Sequence, residues 1–349
     1  MLGGLAGAAC RPGSLLAPPR LGSGSGPFAT PTESDVDLVG HVLNRCTFGV
    51  RPGDREALLS LGSTTQEAVS AWLDGQLSPA GLDDRGVEHR LRGFESVFQG
   101  GGDVYEYRKG VLLEDLTRAT LLRAVFSRRQ LHEVMVELWT DHFNIDMSKG
   151  ECAWLKVVDD RDVIRRHALG RFPDLLRASA LSPAMLWYLD GRVNRRASDD
   201  DRPNENYARE LLELHTLGVD GGYTQRDVME VARALTGWTV RPKSGFGKGR
   251  VEFQPERHDD GEKTVLGQTI AAGLGKDDLA HVLAIVCSHP ATASHIATKL
   301  CRRFIADPPP AETVSATSEA FRSSGGDIPA TLRALFGQPE FLAETRELC

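Results

Sequence analysis

From residue 35 onward, apolar side chains recur every three to four residues, and this spacing constrains the fold more than any other feature of the chain. Side chains at that spacing share one face of an α-helix. Prolines and glycines separate the periodic segments, because a helix rarely continues through them. The sequence predicts helices at 35–48, 54–59, 64–77, two within 105–144, 159–169, 171–180, 183–190, 204–217, one between Thr224 and Gly237, 277–288, 291–306, 311–324 and 328–336.

Residues 238–270 depart from the helical pattern. Three short runs there are typical of β-strands, and glycines lie between or beside them. A non-helical segment of about 30 residues in a compact domain is usually functional or disordered. We therefore predict an all-α chain, one large multi-helix domain over 35–349, with a small irregular β-hairpin insertion near 238–270.

Residues 1–34 differ in composition, because Gly, Pro, Ser and Ala dominate them. Such a segment buries too little apolar surface to offset its ordering entropy. Its start, through Ala6-Gly7-Ala8, is similar to the last part of a secretory signal. We interpret 1–34 as a disordered leader or the remnant of an export signal. Export to the periplasm or medium is favoured, with a cytoplasmic location as the alternative.

Charge and motif content exclude several classes. A net charge of −7 argues against a nucleic-acid-binding protein. No apolar run approaches the roughly 20 residues that span a bilayer, so no transmembrane segment is expected. The six cysteines form no C-x-x-C pair, and most are expected to be small buried side chains. Phosphate loops, dinucleotide fingerprints and H-E-x-x-H are absent, so no motif requires a cofactor or a metal.

The segment 203–218 holds the densest set of polar side chains. Asn204 is a candidate N-cap, and Glu205 in the first turn suits the helix dipole. Gly218 is placed for a left-handed C-terminal cap, and Thr224 with Asp227 predicts a capping box for the next helix. At about 100° per residue in an α-helix, one stripe holds the following side chains: Asn206, Arg209, Glu210 and Glu213.

Two carboxylates on one helix face favour acid–base chemistry, because each raises the proton affinity of the other. Arg209 is a candidate for binding an anionic substrate. The alternative is a solvated face whose charges pair weakly. His215, toward the apolar side, is expected to be a hydrogen-bonded core histidine.

Other residues with catalytic or binding chemistry are dispersed. His142 ends a helix between aromatic residues, and is a candidate second base or ligand. In the segment 203–218 the candidates for substrate binding are Asn204, Glu205, Asn206 and Arg209. Outside it they are Asp190, Asp220, Trp238 and His258. No local spacing supports a metal site among them.

Several motifs together resemble the bacterial family known as domain of unknown function 1800, over about residues 38–344. The resemblance rests on HVLNR at 41–45, WTDHF at 139–143, SPAMLWYLD at 182–190, the run 203–224, ARALTGW at 232–238, His258-Asp259 with Lys263, and His289-Pro290. It implies a mainly helical fold, frequent export through a twin-arginine signal, and a sulfatase- or alkaline-phosphatase-like protein encoded nearby. It implies no activity. No twin-arginine leader is visible here.

Three hypotheses follow. In the first, the protein is an extracytoplasmic hydrolase or lyase acting on a polar polymer such as a polysaccharide. Glu210, Glu213 and His142 would be catalytic, and 238–270 would form a lid. In the second, it is a non-catalytic partner of the sulfatase-like neighbour. The third and weakest is a metal or haem protein that uses His142 or His215.

Overall fold

The computed structural model describes residues 37–196 and 202–343. The predicted leader, residues 1–34, lies outside the described residues. The α-helices are α1 (Leu38–Cys46), α2 (Asp54–Leu59), α3 (Thr65–Leu77), α4 (Arg85–Leu91), α5 (Lys109–Phe126), α6 (Gln130–His142), α7 (Cys152–Asp159), α8 (Phe172–Ala180), α9 (Pro183–Tyr188), α10 (Asn206–Glu210), α11 (Gln225–Ala234), α12 (Asp278–Ser288), α13 (Pro290–Phe304), α14 (Ala311–Ser323), α15 (Ile328–Phe336) and α16 (Pro339–Ala343).

The predicted all-α class with a small β insertion is confirmed. Three described helices were missed, α4, α7 and the five-residue α16, and the reasons for α4 and α7 are opposite. Helix α4 buries only Val87 and Leu91, so its pattern is too sparse to recognise. Helix α7 is buried almost all round, so it shows no polar face to mark its period.

Two predicted α-helices need correction, because part of each is a π-helix. The first π-helix is Asp160–Arg165, and the second is Leu211–Thr216, which continues α10. In the second, the Leu217 amide donates to the Leu212 carbonyl, five residues back, at 2.8 Å. π-Helical turns are rare in proteins, and those that occur often lie at functional sites.

Helix α10 and the second π-helix together form one continuous helix over 206–216, called the motif helix below, and side chains determine where it begins and ends. The helix begins at Asn206 rather than directly after Asn204, but the Asn204 side chain still accepts from the Asn206 amide at 2.9 Å. Gly218 ends it with φ of +87°, as a left-handed cap requires. A Cβ at Gly218 would lie 2.9 Å from the His295 ring, which also favours glycine there. The predicted capping box of Thr224 and Asp227 opens α11.

Most of the described helices surround one hydrophobic core. Representative members are Val42 of α1, Met135 of α6, Leu175 of α8, Val228 of α11 and Ile296 of α13. A second, smaller core lies between α4, α5 and α7, and it holds Val87, Leu91, Val97, Val104, Leu112, Ala119, Val157 and Val158.

The insertion contains two hairpins where one was expected. Strands β1 (Trp238–Val240) and β2 (Val251–Phe253) pair antiparallel, as do β3 (Lys263–Val265) and β4 (Gln268–Ile270). Strand β4 was missed because its three residues follow directly on a tight turn at Gly267.

A buried ionic cluster joins the insertion to α12. The Lys263 ammonium is fully buried and contacts the Asp278 carboxylate at 2.6 Å. It also donates to the carbonyls of Asp259 and Gly261, at 2.5 and 2.7 Å. His258 lies between the Thr236 carbonyl and Asp278, at 2.9 and 3.2 Å.

Four cysteines fall in the described part of the chain, and all are free thiols; Cys46, Cys152 and Cys301 are buried as expected. No helix among residues 37–196 and 202–343 is long and apolar enough to cross a membrane.

The Asp278→Ala substitution is expected to lower the free energy of unfolding by about 3–5 kcal/mol, because it leaves the Lys263 charge buried and unpaired. Urea denaturation measures this loss. The matched control is Asp277→Ala, since Asp277 is exposed and its side chain caps nothing. Equal losses in the two variants would contradict the proposed anchoring by Asp278.

Candidate functional site

A polar network on α10 and α11 surrounds Arg209. The Arg209 guanidinium donates to Glu205 at 3.0 Å and to the Gln225 side chain at 2.9 Å. Gln225 also donates to Glu205, at 2.7 Å. All three side chains are at least partly exposed. Because the ion pair of Arg209 with Glu205 is open to solvent, it contributes little to the stability of the fold. Its hydrogen bonds nevertheless fix the direction of the Arg209 side chain.

Glu210 and Glu213 follow on the same surface, across the junction of α10 with the second π-helix. Both are half-buried. Partial burial, then the charge of Glu213, raises the pKa of Glu210, and the nearby Arg209 only partly opposes this. The Tyr223 hydroxyl donates to Glu213 at 3.3 Å. Burial and the Glu213 charge raise the pKa of Tyr223, so this phenol remains a hydrogen-bond donor.

Asn204 and Asn206 hold the start of this helix in place. The Asn204 amide donates to the Asn194 side chain at 2.8 Å, and the Asn206 side chain donates to the Leu189 carbonyl at 3.1 Å. Asp190 lies beyond Leu189, with left-handed backbone (φ of +60°) and an ion pair with Lys149 at 2.9 Å. Both asparagines and Asp190 therefore have structural contacts.

His142 lies on the inner side of the π-helix, apart from the carboxylates. Its Nε2 donates to the His215 carbonyl at 3.1 Å, and its Nδ1 accepts from Lys299 at 2.9 Å. Burial, then the Lys299 charge, holds the pKa of His142 well below its usual range. The cleft beside it, about 360 Å³, is lined by Glu137, Leu138, Asp141, His142, Lys299, Arg302 and Arg303.

Two more histidines lie beside His142. His215 is buried, as expected of a core histidine, but its Nδ1 has no hydrogen-bond partner among the described residues. Burial, then the Lys299 charge, lowers its pKa to about 3. His295 donates to the Leu214 carbonyl at 3.2 Å. These imidazoles surround the end of the π-helix.

The remaining candidates lie elsewhere. Trp238 packs against Phe253 with ring centroids 5.2 Å apart. His258 is buried in the cluster that anchors the insertion, a position that suits an anchor better than a substrate contact. Asp220 is exposed on the turn before α11.

The structure thus brings Glu205, Arg209, Glu210 and Glu213 onto one surface, whereas His142 is not among them. Sequence reasoning missed Tyr223 and Gln225, although the capping box at Thr224 places both at the start of the helix beside α10. It also missed Lys299, because residues 157 positions apart carry no local signal of contact.

The family model for the protein of unknown function DUF1800 matches residues 41–348. The chain belongs to this family. No curated protein matches it, and no solved structure matches it.

Among the described residues, no group of three or more His, Cys, Asp or Glu is arranged to hold a metal ion. Both ring nitrogens of His142 have hydrogen-bond partners. The metal or haem hypothesis therefore has no supporting observation here.

The low pKa of His215 predicts acid sensitivity. Below pH 6.5 the unfolded chain protonates this ring, whereas the folded chain keeps it neutral to about pH 3. The contribution of the neutral His215 ring to the stability of the fold is therefore fully present above pH 6.5 and is lost as the pH falls. For His215 alone the loss between pH 6.5 and 5 is about 2 kcal/mol.

Urea denaturation at the two pH values tests this. The His215→Gln variant is expected to lose about 2 kcal/mol less than the wild type over this interval. The matched control is His281→Gln, at an exposed histidine. An unchanged pH dependence in His215→Gln would exclude the depressed pKa.

Proposed function

We propose that the protein is an extracytoplasmic enzyme, a hydrolase or lyase that acts on a polar polymer such as a polysaccharide by acid–base catalysis. The observation that carries the proposal is the pair Glu210 and Glu213 on a half-exposed, π-distorted helix, with the Tyr223 hydroxyl bonded to Glu213.

The two carboxyl groups have different surroundings, which suits different roles. Glu210 holds its proton to higher pH and would donate it to the leaving-group oxygen. Glu213, which accepts from Tyr223, would take a proton from water in a hydrolase or from carbon in a lyase. A carboxyl group whose surroundings raise its pKa serves as the general acid in many enzymes.

Substrate binding is assigned to the residues around the pair. Arg209, held between Glu205 and Gln225, would donate to hydroxyl or carboxylate oxygens of a sugar chain. Asn206 is exposed at the start of the same helix. This face is open, and an extended polymer can bind along such a face, whereas a small ligand usually needs an enclosing pocket.

We assign His142 a positioning role instead of a catalytic one. Its hydrogen bond to the His215 carbonyl supports the π-helix that carries Glu213. The proposed catalysis assigns no role to the four remaining candidates, which are Trp238, His258, Asp190 and Asp220. Export is proposed on the composition of residues 1–34, on their Ala6-Gly7-Ala8 arrangement and on the family resemblance.

The Glu210→Gln and Glu213→Gln variants are expected to lose about 10²- to 10⁴-fold in kcat on a substrate found by screening acidic and neutral polysaccharides, because each removes a proton-transfer group. Reducing-end release measures hydrolysis, and absorbance of an unsaturated product measures elimination. The Glu319→Gln variant is the matched control, since Glu319 is an exposed carboxylate on α14. Full activity in both variants would exclude the pair.

A second function has one observation in its favour. Leu214 and Val219, next to the charged network in sequence, are exposed by 46% and 68%. Apolar side chains within a charged surface are typical of protein interfaces. The same face would then bind the sulfatase-like protein that the family resemblance implies is encoded nearby.

Co-expression with that neighbour tests the alternative. A complex is expected to elute as one species in size-exclusion chromatography, and Leu214→Glu is expected to dissociate it, because a charge replaces an apolar contact. Leu121→Glu serves as control, at an exposed leucine of α5. Separate elution of the two wild-type proteins would exclude this function.

A further inference from the structure

A cleft of about 670 Å³ opens where α4, α5, the start of α6 and the first π-helix meet. It shares no residue with the face of Glu210 and Glu213. Its lining residues are Glu88, Leu91, Arg92, Glu95, Phe98, Gln99, Arg123, Arg129, His132, Glu133 and Arg165. A volume of this size lies within the range of about 300–1,000 Å³ that is usual for small-molecule sites.

Arg165 forms part of the cleft wall with one guanidinium nitrogen unused. Its Nη1 donates to both oxygens of Glu133, at 3.0 and 2.8 Å, and its Nε donates to Asp160 at 2.8 Å. Its Nη2 is buried and has no hydrogen-bond partner in the described chain. The side chain itself is nine-tenths buried, so bulk water does not reach this nitrogen.

Arg123 is the second guanidinium of the cleft. Within residues 37–196 and 202–343 its side chain makes no hydrogen bond or ion pair, and its Nη1 is buried. Burial, then the positive charge of Arg165, lowers the pKa of Arg123, and the carboxylates of Asp160, Glu133 and Asp84 oppose this shift. Arginine nevertheless stays protonated in proteins. These two guanidinium groups therefore line one cleft, and only that of Arg165 is hydrogen-bonded to carboxylates.

The outer part of the cleft adds the Arg92 guanidinium and an apolar surface. His132 donates through Nε2 to the Arg165 carbonyl, so its Nδ1, which lies 3.6 Å from the Glu133 carboxylate, is an acceptor rather than a donor. Arg92 lies on the exposed rim. Phe98, which is 53% exposed, and Leu91 provide an apolar surface beside these polar groups.

We propose that this cleft binds an oxyanion carried on a small organic molecule. A carboxylate, phosphate or sulfate group would accept from the Arg123 guanidinium, and the rest of the molecule would pack on Phe98. Glu133 and Asp160 already occupy the Nη1 and Nε nitrogens of Arg165, so they orient this side chain and leave Arg123 as the main anchor. The Arg123 side chain has no hydrogen-bond partner among the described residues, and a bound oxyanion supplies one.

Isothermal titration calorimetry of the full chain tests the site. The probes are phenyl phosphate, inorganic phosphate, sulfate and benzoate at constant ionic strength in chloride, with phenol as the neutral analogue. Phenyl phosphate or benzoate is expected to bind more tightly than the inorganic ions, and phenol is expected not to bind. The comparison of phenyl phosphate with benzoate distinguishes the tetrahedral from the planar oxyanion. If no oxyanion binds saturably, the proposal is wrong.

Substitutions locate the binding. Arg123→Met is expected to raise the Kd at least about tenfold, because a charged hydrogen bond is lost. The matched control is Arg118→Met, on the same helix at an exposed position. Phe98→Ala is expected to lower the affinity for phenyl phosphate and to leave the affinity for inorganic phosphate unchanged. Because Phe98 is exposed, this variant tests the site even if Arg123→Met does not fold. Unchanged affinity for phenyl phosphate in Phe98→Ala, or in a folded Arg123→Met, would overturn the proposal.

Discussion

The hydrogen bond from His142 to the His215 carbonyl holds the motif helix against the body of the protein. The last carbonyls of any helix lack partners within it. Here His142 and His295 satisfy the carbonyls of His215 and Leu214 from α6 and α13. The π-helix that carries Glu213 therefore ends against two imidazole rings that are fixed by other helices.

Burial makes this arrangement dependent on uncharged rings. A protonated imidazole at a helix C-terminus is normally favoured by the helix dipole. Burial and the Lys299 charge oppose that preference and lower the pKa of both His142 and His215. Lys299 donates to His142, which requires an unprotonated Nδ1. The neutral ring can thus accept from Lys299 and donate to the helix at the same time.

The sequence predicted the helices whose apolar residues form a clear stripe, and it predicted the capping box at Thr224 and the left-handed Gly218. These features depend on residues within one or two turns. It did not predict the π-helix, because the hydrogen bonds that favour it come from His142 and His295, which are distant in sequence. The same limit applies to the candidate site. The proximity of Glu210 and Glu213 follows from local spacing, whereas the separation of His142 from them depends on the packing of α6 and α13.

The motif residues therefore divide into two groups with different physical explanations. His142, His215 and His258 are buried, and their hydrogen bonds or packing within the fold account for their chemistry. Arg209, Glu210 and Glu213 are half-exposed, and their solvent-screened pairs stabilise the fold little. A carboxylate pair that faces solvent, with one pKa raised, has no structural task that other polar residues could not perform. Function is therefore better sought on this outer face of the motif helix than among its buried histidines.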